Sequence, residues 1–307
     1  MARRINSRLQ ITGQLIARTP LHVGGAGSNA DTDLALAVNG RGEFYIPGTS
    51  LAGPLRAWLE HNAREGVNDW WGYQIKDQGQ ASHVFVEDGC VTPPAGKQIK
   101  AELRDGVGID RVTGAAANQI KYDRAVLPRG TRICFAMTVE LPADTSEQSQ
   151  QKLRDKVRAQ TEAVLQALQD GAIRFGAAKT RGLGRIEVQD LEVREQGLLT
   201  KQGLLKTLRG ESQQPEAAMA LMAAPRPRLT VSIRWQPRGP LMVKAERDGI
   251  AVDMLPLVSA IDERLTFVLP GSSIKGSFRS QAERIVRTVL GLSAPKPVVY
   301  KQDSLTR

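Results

Sequence analysis

The sequence predicts a two-module α+β chain, and three observations carry that prediction. One stretch is written twice. Strand-like alternation is interleaved with two amphipathic helical stretches through residues 9–193, and a Gln/Ala/Pro-rich segment then precedes a region that opens in the same manner. A chain of 307 residues is long enough for each module to bury its own core.

The repeated stretch is FYIPGTSLAGPLR, Phe44 to Arg56, which returns as FVLPGSSIKGSFR, Phe267 to Arg279. Pro47, Gly48, Ser50, Gly53 and Arg56 recur as Pro270, Gly271, Ser273, Gly276 and Arg279, each 223 positions later. Both copies read as a strand end, a Pro-Gly turn and a helix opened by a hydroxyl residue that caps free backbone amides. The unpaired amides and the positive end of the helix dipole make such a start a site for an anion, most often phosphate. Gly53 and Gly276 read as points of close approach for another backbone, with Arg56 and Arg279 behind them. A single copy would read equally well as a capped strand-to-helix connection; repetition favours a functional element.

Charge points the same way. A net charge of +10, from 42 basic and 32 acidic residues, suggests a polyanionic partner, against the alternative of a merely basic protein. The two cysteines, Cys90 and Cys134, form no CxxC and no disulfide framework, so a reducing, cytoplasmic setting is expected. The stretch MARRINSRLQIT lacks the apolar run of a signal peptide, and no apolar run approaches about 18 residues, so no membrane contact is expected.

Taken in order, Leu9 to Ala17 alternates as a half-buried strand. The loop TPLHVGGAGSNADTD follows, carrying Asp31 and Asp33 just before the LALAV run. Loops carry function, and Asp is also an ordinary turn former, so both readings stay open. A helix from Ser50 to Asn62 buries Leu51, Leu55, Trp58 and Leu59; after WWGYQ a strand runs from His83 to Glu87. Trp70 and Trp71 are better read as core than as base-stacking rings.

Residues 102–132 are the least core-like part. Arg104, Arg111, Lys121, Arg124, Arg129 and Arg132 stand among Glu102, Asp105, Asp110 and Asp123, with small isolated apolar residues. They predict a projecting irregular hairpin, and connections beyond about 15 residues are usually functional or disordered. Thr131 to Leu141 reads as a strand. An amphipathic helix then runs from Ser146 to Gln169, capped at Ser146 or Thr145, with Val157, Val164, Leu165 and Leu168 inward and Gly171 ending it.

Next comes GAIRFGAAKTRGLGRIEV. Gly176, Gly182 and Gly184 surround Lys179, Arg181 and Arg185, with no acid between Gly171 and Arg185. Glycines let amides approach a chain of phosphates and the cations neutralise it; a Gly-rich hairpin with incidental charge is the alternative. The segment leads into a strand from Ile186 and has no GKS or GKT, so it is no Walker loop. Residues 194–228 read as a linker. A strand LTVSIRW opens the second region at Leu229, which continues through Asp253 to a helix from Ser273 to about Leu290.

The element order of residues 1–193 is that of a ferredoxin-like or RNA-recognition-type core with insertions. TPLHVGG, YIPGTSLAGPLR, ASHVFVEDG, VGIDRVTGAA, YDRAVLPRGTRI and FGAAKTRGLGRIEV, in this order, resemble signatures of the RAMP superfamily. More narrowly, they resemble the repeating backbone (Cas-seven-type) subunits of type III CRISPR-Cas effectors. The resemblance covers most of residues 9–193, and the second copy covers 229 to about 290, giving a tandem fusion whose second module, 229–307, is incomplete.

The resemblance implies a guide (CRISPR) RNA held by a Gly-rich lid and the helix start: Gly48, Ser50, Gly53, Arg56, Arg111, Lys179, Arg181 and Arg185 in the first module, Gly271, Ser273, Lys275 and Arg279 in the second. Residues 102–130 correspond to a thumb that interrupts the guide–target duplex. An Asp in the loop after LHVGG cuts target RNA beside it; Asp33 falls there, with Asp31 the near alternative. Asp253 takes the matching place in the second copy, 220 rather than 223 positions on. Mg²⁺ at Asp33 is the implied ion, with no organic cofactor. Partners are target RNA and other subunits of the effector. Two other readings remain: a binding scaffold without catalysis, and a metal-independent guide-processing RNase that uses His22. The second copy lacks counterparts of the thumb, the long second helix, the Gly-rich loop and the glycine pair. Completion by another chain, or a shortened sequence, is the expectation there.

Overall fold

The computed structural model describes residues 4–25, 32–62, 66–92, 99–110, 116–143, 147–211, 229, 231–245, 252–261 and 264–294. The elements run β1 (Ile5–Ala17), β2 (Tyr45–Ile46), α1 (Gly48–Asn62), α2 (Asn68–Trp71), β3 (Tyr73–Ile75), β4 (Gln78–Gln80), β5 (Val84–Val86) and β6 (Gly89–Thr92). They continue with β7 (Glu102–Ile109), β8 (Ala116–Val126), β9 (Arg132–Pro142), α3 (Glu147–Gln169), β10 (Ile186–Gly197), α4 (Lys201–Leu208), β11 (Val258–Ile261), β12 (Arg264–Phe267) and α5 (Gly271–Leu290).

An antiparallel sheet ordered β10-β1-β9-β6-β2, with β5 also on β9, forms the centre. β1 lies between β9 and β10, and its register with both is dictated by one apolar face. Leu9, Ile11, Leu15 and Ala17 of β1 and Ile133, Phe135, Met137, Val139 and Leu141 of β9 point into the core at 4% exposure or less. The helices cover that face with Leu51, Leu55 and Leu59 from α1 and Val157, Val164 and Leu168 from α3. Full burial of each such side chain contributes about 1.5–3 kcal/mol. Trp70 and Trp71 are core residues, and the Trp70 indole donates to Gln160 Oε1. This mixed α+β arrangement with an antiparallel sheet is consistent with a ferredoxin-like core.

Several expectations need correction. Helix α1 starts at Gly48, so Ser50 lies inside the first turn, its amide bonded to the Pro47 carbonyl at 2.8 Å. Helix α5 starts at Gly271, behind Pro270, with no side-chain cap. Neither serine caps its helix, because the Pro-Gly turn enters the helix two residues before the hydroxyl. A Cβ at Gly53 or Gly276 would meet nothing within 4 Å, so neither marks a close approach within the chain. The projecting segment is an antiparallel hairpin, β7–β8, irregular as expected where its register shifts between Val107 and Ile109, and its base is anchored by buried Ala125, Val126 and Leu127. Within the expected linker, Lys201–Leu208 is helical, with Thr200 Oγ1 accepting the Gly203 amide at 3.0 Å. The cap of α3 expected at Ser146 or Thr145 lies outside the described residues.

Cys90 and Cys134, expected as separate thiols, form a disulfide with Cα atoms 5.3 Å apart. Their 44-residue separation hides the fact that β6 and β9 are neighbours in register. Leu229 to Trp235, expected as a strand, pairs with no strand among the described residues, and Leu229, Val231, Ile233 and Trp235 are each more than half exposed. β1 is held by β9 and β10, and residues 229–294 offer no described equivalent of either.

Several backbone pairings of the first region nevertheless recur in the second. The bridge Gly24↔Leu36 recurs as Lys244↔Pro256, and the bond from Ala37 N to Val23 O recurs from Leu257 N to Val243 O. Val38 pairs with Phe44 as Val258 pairs with Phe267. Through these pairings the offset changes from 220 to 223 residues within the β11–β12 turn, where the second copy carries its three extra residues.

Candidate nucleic-acid interface

The Gly-rich segment folds back on itself because two glycines permit it. Gly176, at φ +73°, carries hydrogen where a Cβ would stand 2.2 Å from the His22 carbonyl oxygen; Gly184, at φ +76°, does so 1.9 Å from that of Phe175. The closure is hydrogen-bonded: Phe175 N donates to Gly184 O at 2.9 Å, Gly184 N to Pro20 O at 2.9 Å and Ala177 N to His22 O at 2.8 Å. A short 3₁₀ turn, Lys179–Arg181, is presented at the tip with both cations exposed.

Strand β8 of the hairpin joins this loop to the Asp33 loop. Side chains alternate along a strand, so Tyr122 and Arg124 face one way and Asp123 the other. Tyr122 Oη accepts from the Arg181 guanidinium, and Arg124 lies 5.7 Å from the centre of the Tyr122 ring. On the opposite side, Asp33 N donates to Asp123 Oδ1 at 2.6 Å and Asp123 N donates to Asp33 Oδ2 at 3.0 Å. Ala125 N donates to Leu34 O at 3.0 Å, so Leu34 bridges to β8 at Arg124. Among the described residues no group of three His, Cys, Asp or Glu gathers as a metal site; the Asp33–Asp123 pair is the acidic feature here.

A cavity of about 320 Å³ opens between this loop, the base of the hairpin and the start of α5. Arg18, Arg104, Arg124, Arg129, Arg181 and Lys244 contribute cations to its wall, and Gly271, Ser272 and Ser273 bring the first turn of α5. Burial, opposed by the Tyr122 phenol and reinforced by Arg181, lowers the Arg124 pKa from its ordinary value. The sign follows from burial and crowded positive charge. Gly271 sits against the Arg181 carbonyl, where a Cβ would stand 2.6 Å from the oxygen.

Of the residues singled out from sequence, Arg181, Gly271 and Ser273 come together in this cavity, with Lys179 at the tip of the same loop. Gly48, Ser50, Gly53 and Arg56 are not part of its wall. Asp88 Oδ1 accepts the Gly48 amide at 2.7 Å, and Arg56 is bonded to Glu60 and Asn68, each at 2.8 Å. Arg279 pairs with Glu283 at 2.7 Å; Lys275 is exposed on α5. Arg185 is exposed, its backbone amide held by Thr19 Oγ1 at 3.0 Å. Asp253 is exposed in a bend ahead of β11, without a hairpin strand of the β7–β8 kind to hold it among the described residues. Arg111 and Asp31 lie outside the described residues. Asp123, Tyr122 and Asp88 were not singled out as partners of these sites. Their one sequence signal is the alternation in YDR and the carboxylate in VFVEDG, visible only once the strands are placed.

His22 is 5% exposed and donates from Nδ1 to the Ala125 carbonyl at 2.7 Å, which makes it a packed junction of the loops. Burial lowers its pKa below the ordinary 6.5, against the Ala125 bond and with help from Arg124. A depressed value means that the unfolded chain binds the proton more tightly, so the stabilising contribution is complete above pH 6.5 and is lost as pH falls through and below it. The thermal midpoint is therefore expected to fall more steeply between about pH 7 and 5 in the native chain than in His22→Gln. Equal slopes would remove His22 as a source of acid sensitivity.

No helix among the described residues is long and apolar enough to cross a membrane. No curated protein matches the chain. The family model of the RAMP superfamily matches residues 14–187, which takes in β2 to β9, both core helices, the hairpin and the Gly-rich loop, and places a CRISPR-associated, RNA-binding family on this fold. With more than half its length inside that match, and with the Gly-rich loop, the hairpin and the Asp33 loop joined through β8, the chain belongs to the RAMP superfamily.

Proposed function

We propose that the chain is a guide-RNA-binding backbone subunit of a type III CRISPR-Cas effector, built as a tandem of two modules, and that it cuts target RNA at Asp33. It works with other effector subunits, guide RNA and target RNA. The observation that carries the reading is the reciprocal bonding of Asp33 to Asp123 on the hairpin. It fixes a carboxylate beside the element that would interrupt a guide–target duplex. The matching bridges at Gly24↔Leu36 and Lys244↔Pro256 support the tandem.

RNA cutting asks mainly for positioning, so that a 2′-oxygen lies in line with its own phosphorus. Asp33 takes the 2′-proton as the oxygen attacks, the P–O5′ bond breaks, and the 5′-oxygen leaves with a proton from water. The reciprocal bonds leave Asp33 Oδ1 and Asp123 Oδ2 for further ligands, a donor set that fits Mg²⁺, which binds through one or two carboxylates and keeps its waters. When bound, the ion supplies stabilisation of charge developing on the phosphate. Lys179 and Arg181 hold the ribose-phosphate strand against the Gly-rich loop. Asp253 is the equivalent carboxylate of the second module.

The same two bonds favour a second reading, since a carboxylate that ties a loop to a strand is useful without catalysis. In that case the chain is a guide-binding scaffold. The two readings share RNA binding, which Lys179→Ala tests first. Its affinity for single-stranded RNA should fall for every sequence, and the slope of log affinity against log salt should shrink by about 0.7, because one phosphate is no longer neutralised. An unchanged slope means that Lys179 faces solvent in the complex, which counts against both.

A further inference from the structure

Two side chains take no part in the site above, and they are the chain's only cysteines. A cysteine that serves packing is buried, as a small hydrophobe is. Cys90 and Cys134 are both exposed, because β6 and β9 turn Gly89, Ile133 and Phe135 inward and present the residues between them on the face opposite the core. The pairings Val91↔Ile133 and Thr92↔Arg132 set Cys90 directly opposite Cys134. Their Cα atoms are 5.3 Å apart, a span that a disulfide bridges without moving the backbone. At this exposure a small thiol reaches either sulfur.

The bond also stands where it controls one edge of the sheet. Among the described strands β2 joins the sheet through β6. Beyond the cysteines, β6 is paired to β9 at Val91 and Thr92, and to β2 by Tyr45↔Cys90 and Ile46↔Gly89. Asp88, two residues before Cys90, accepts the Gly48 amide where α1 begins. A covalent tie at Cys90 therefore fixes the β6–β2 edge and the entry into α1, whereas β1, β9 and β10 are held by long ladders of their own.

We propose that Cys90 and Cys134 are a reversible thiol–disulfide exchange site, closed by a low-molecular-weight disulfide such as oxidised glutathione and opened by its thiol, and that closure fixes the β6–β2 edge. One cysteine thiolate attacks a sulfur of the oxidised reagent, forms a mixed disulfide and releases one glutathione thiolate. The other cysteine thiolate attacks the cysteine sulfur of that mixed disulfide, forms the Cys90–Cys134 bond and expels the second glutathione. Two protein thiols thus lose two electrons and two protons, and one oxidised glutathione becomes two reduced ones. The reverse sequence opens the bond. With no third cysteine in the chain, exchange has a single intramolecular product. Exposed disulfides are the labile kind, whereas structural ones resist the glutathione pool. The site is separate from the Asp33 and Gly-rich loops and does not depend on an RNA ligand.

The test equilibrates the full chain in mixtures of reduced and oxidised glutathione, quenches it with a thiol-alkylating reagent and weighs it by intact mass spectrometry. The bonded fraction is expected to rise from nearly none to nearly all across the series, and to fall again when the mixture is reversed. A bond that persists in reduced glutathione alone is a permanent staple and overturns the proposal. So does a bond that fails to form in excess oxidised glutathione. The closed chain should melt about 5–15 °C above the open one, the scale for tying off a 44-residue separation in a module of this size. Hydrogen exchange locates the change: protection should rise most at residues 45–50 and 89–92 and least in β10. A change spread evenly over the sheet removes the edge as the element controlled. The double variant Cys90→Ser, Cys134→Ser should match the open chain in both buffers, and the native chain in reduced glutathione gives the same comparison without a substitution. A melting midpoint that still follows the glutathione ratio in the double variant overturns the assignment to this pair.

Discussion

Asp33→Asn is expected to abolish target-RNA cutting while leaving RNA affinity unchanged, a loss of roughly 10²–10⁴-fold if the carboxylate acts as the base. Asparagine is the informative replacement because Asp33 has two duties. Its Oδ2 accepts the Asp123 amide, and its own amide donates to Asp123 Oδ1. A side-chain amide keeps an acceptor for the first bond and the backbone donor for the second, so the loop stays beside β8 with the charge removed. Asp33→Ala leaves the Asp123 amide without its partner and shifts the loop as well. If cleavage survives in Asp33→Asn and is lost only in Asp33→Ala, the carboxylate is a staple and the scaffold reading stands. Loss in both, with guide and target still bound, assigns the chemistry to Asp33. Asp253→Asn should change the rate less, because no hairpin strand positions that carboxylate among the described residues.

Gly184→Ala is expected to cost several kcal/mol of stability, about 3–5, and to remove RNA binding with it. The new methyl would stand 1.9 Å from the Phe175 carbonyl oxygen at a backbone φ of +76°, where an L-residue is strained even in open space. Relief requires breaking the bonds from Phe175 N to Gly184 O and from Gly184 N to Pro20 O, which hold the loop that carries Lys179 and Arg181. Gly182→Ala is the control. Its φ is also positive, at +93°, yet the nearest atom to the added methyl is the Gly271 Cα at 3.7 Å, so only the conformational cost of about 1–2 kcal/mol applies. Urea melts of the three chains measure the difference. Equal losses at 182 and 184 would mean that strain alone, rather than the close packing on Phe175, sets the cost.

The strands and helices of the first module were legible because burial imposes a period. Leu9, Ile11 and Leu15 alternate on β1, and Leu51, Leu55 and Leu59 recur at helical spacing on α1; each set proved to be core. The repeat was legible because a Pro-Gly turn constrains its own residues. The helix starts were misplaced for a related reason: a serine near a helix start looks like a cap, and only the folded chain shows Asp88, 40 residues further on, doing that work at Gly48. The hairpin was legible as a projecting element but its pairing was not: composition does not show that β7 and β8 pair from Glu102↔Val126 to Val107↔Lys121 before the register slips towards Ile109. At Leu229 to Trp235 the apolar alternation is present and no paired strand is found among the described residues, because a strand is a property of a pair.

By itself, then, the sequence determined the local and the composite: two copies of one turn, the core of the first module, a basic chain, and glycines with cations in one loop. These follow from short-range rules of period, turn geometry and charge, which a short run of consecutive residues can express. The tertiary structure decided which of the equivalent pieces are equivalent in fact. It closed one helix start with the Asp88 carboxylate and opened the other onto cations from β8 and the Gly-rich loop. It also set Asp33 against Asp123, 90 residues apart in the chain. Electrostatic environment is a sum over neighbours in space, and the chain order of a sequence does not contain that sum.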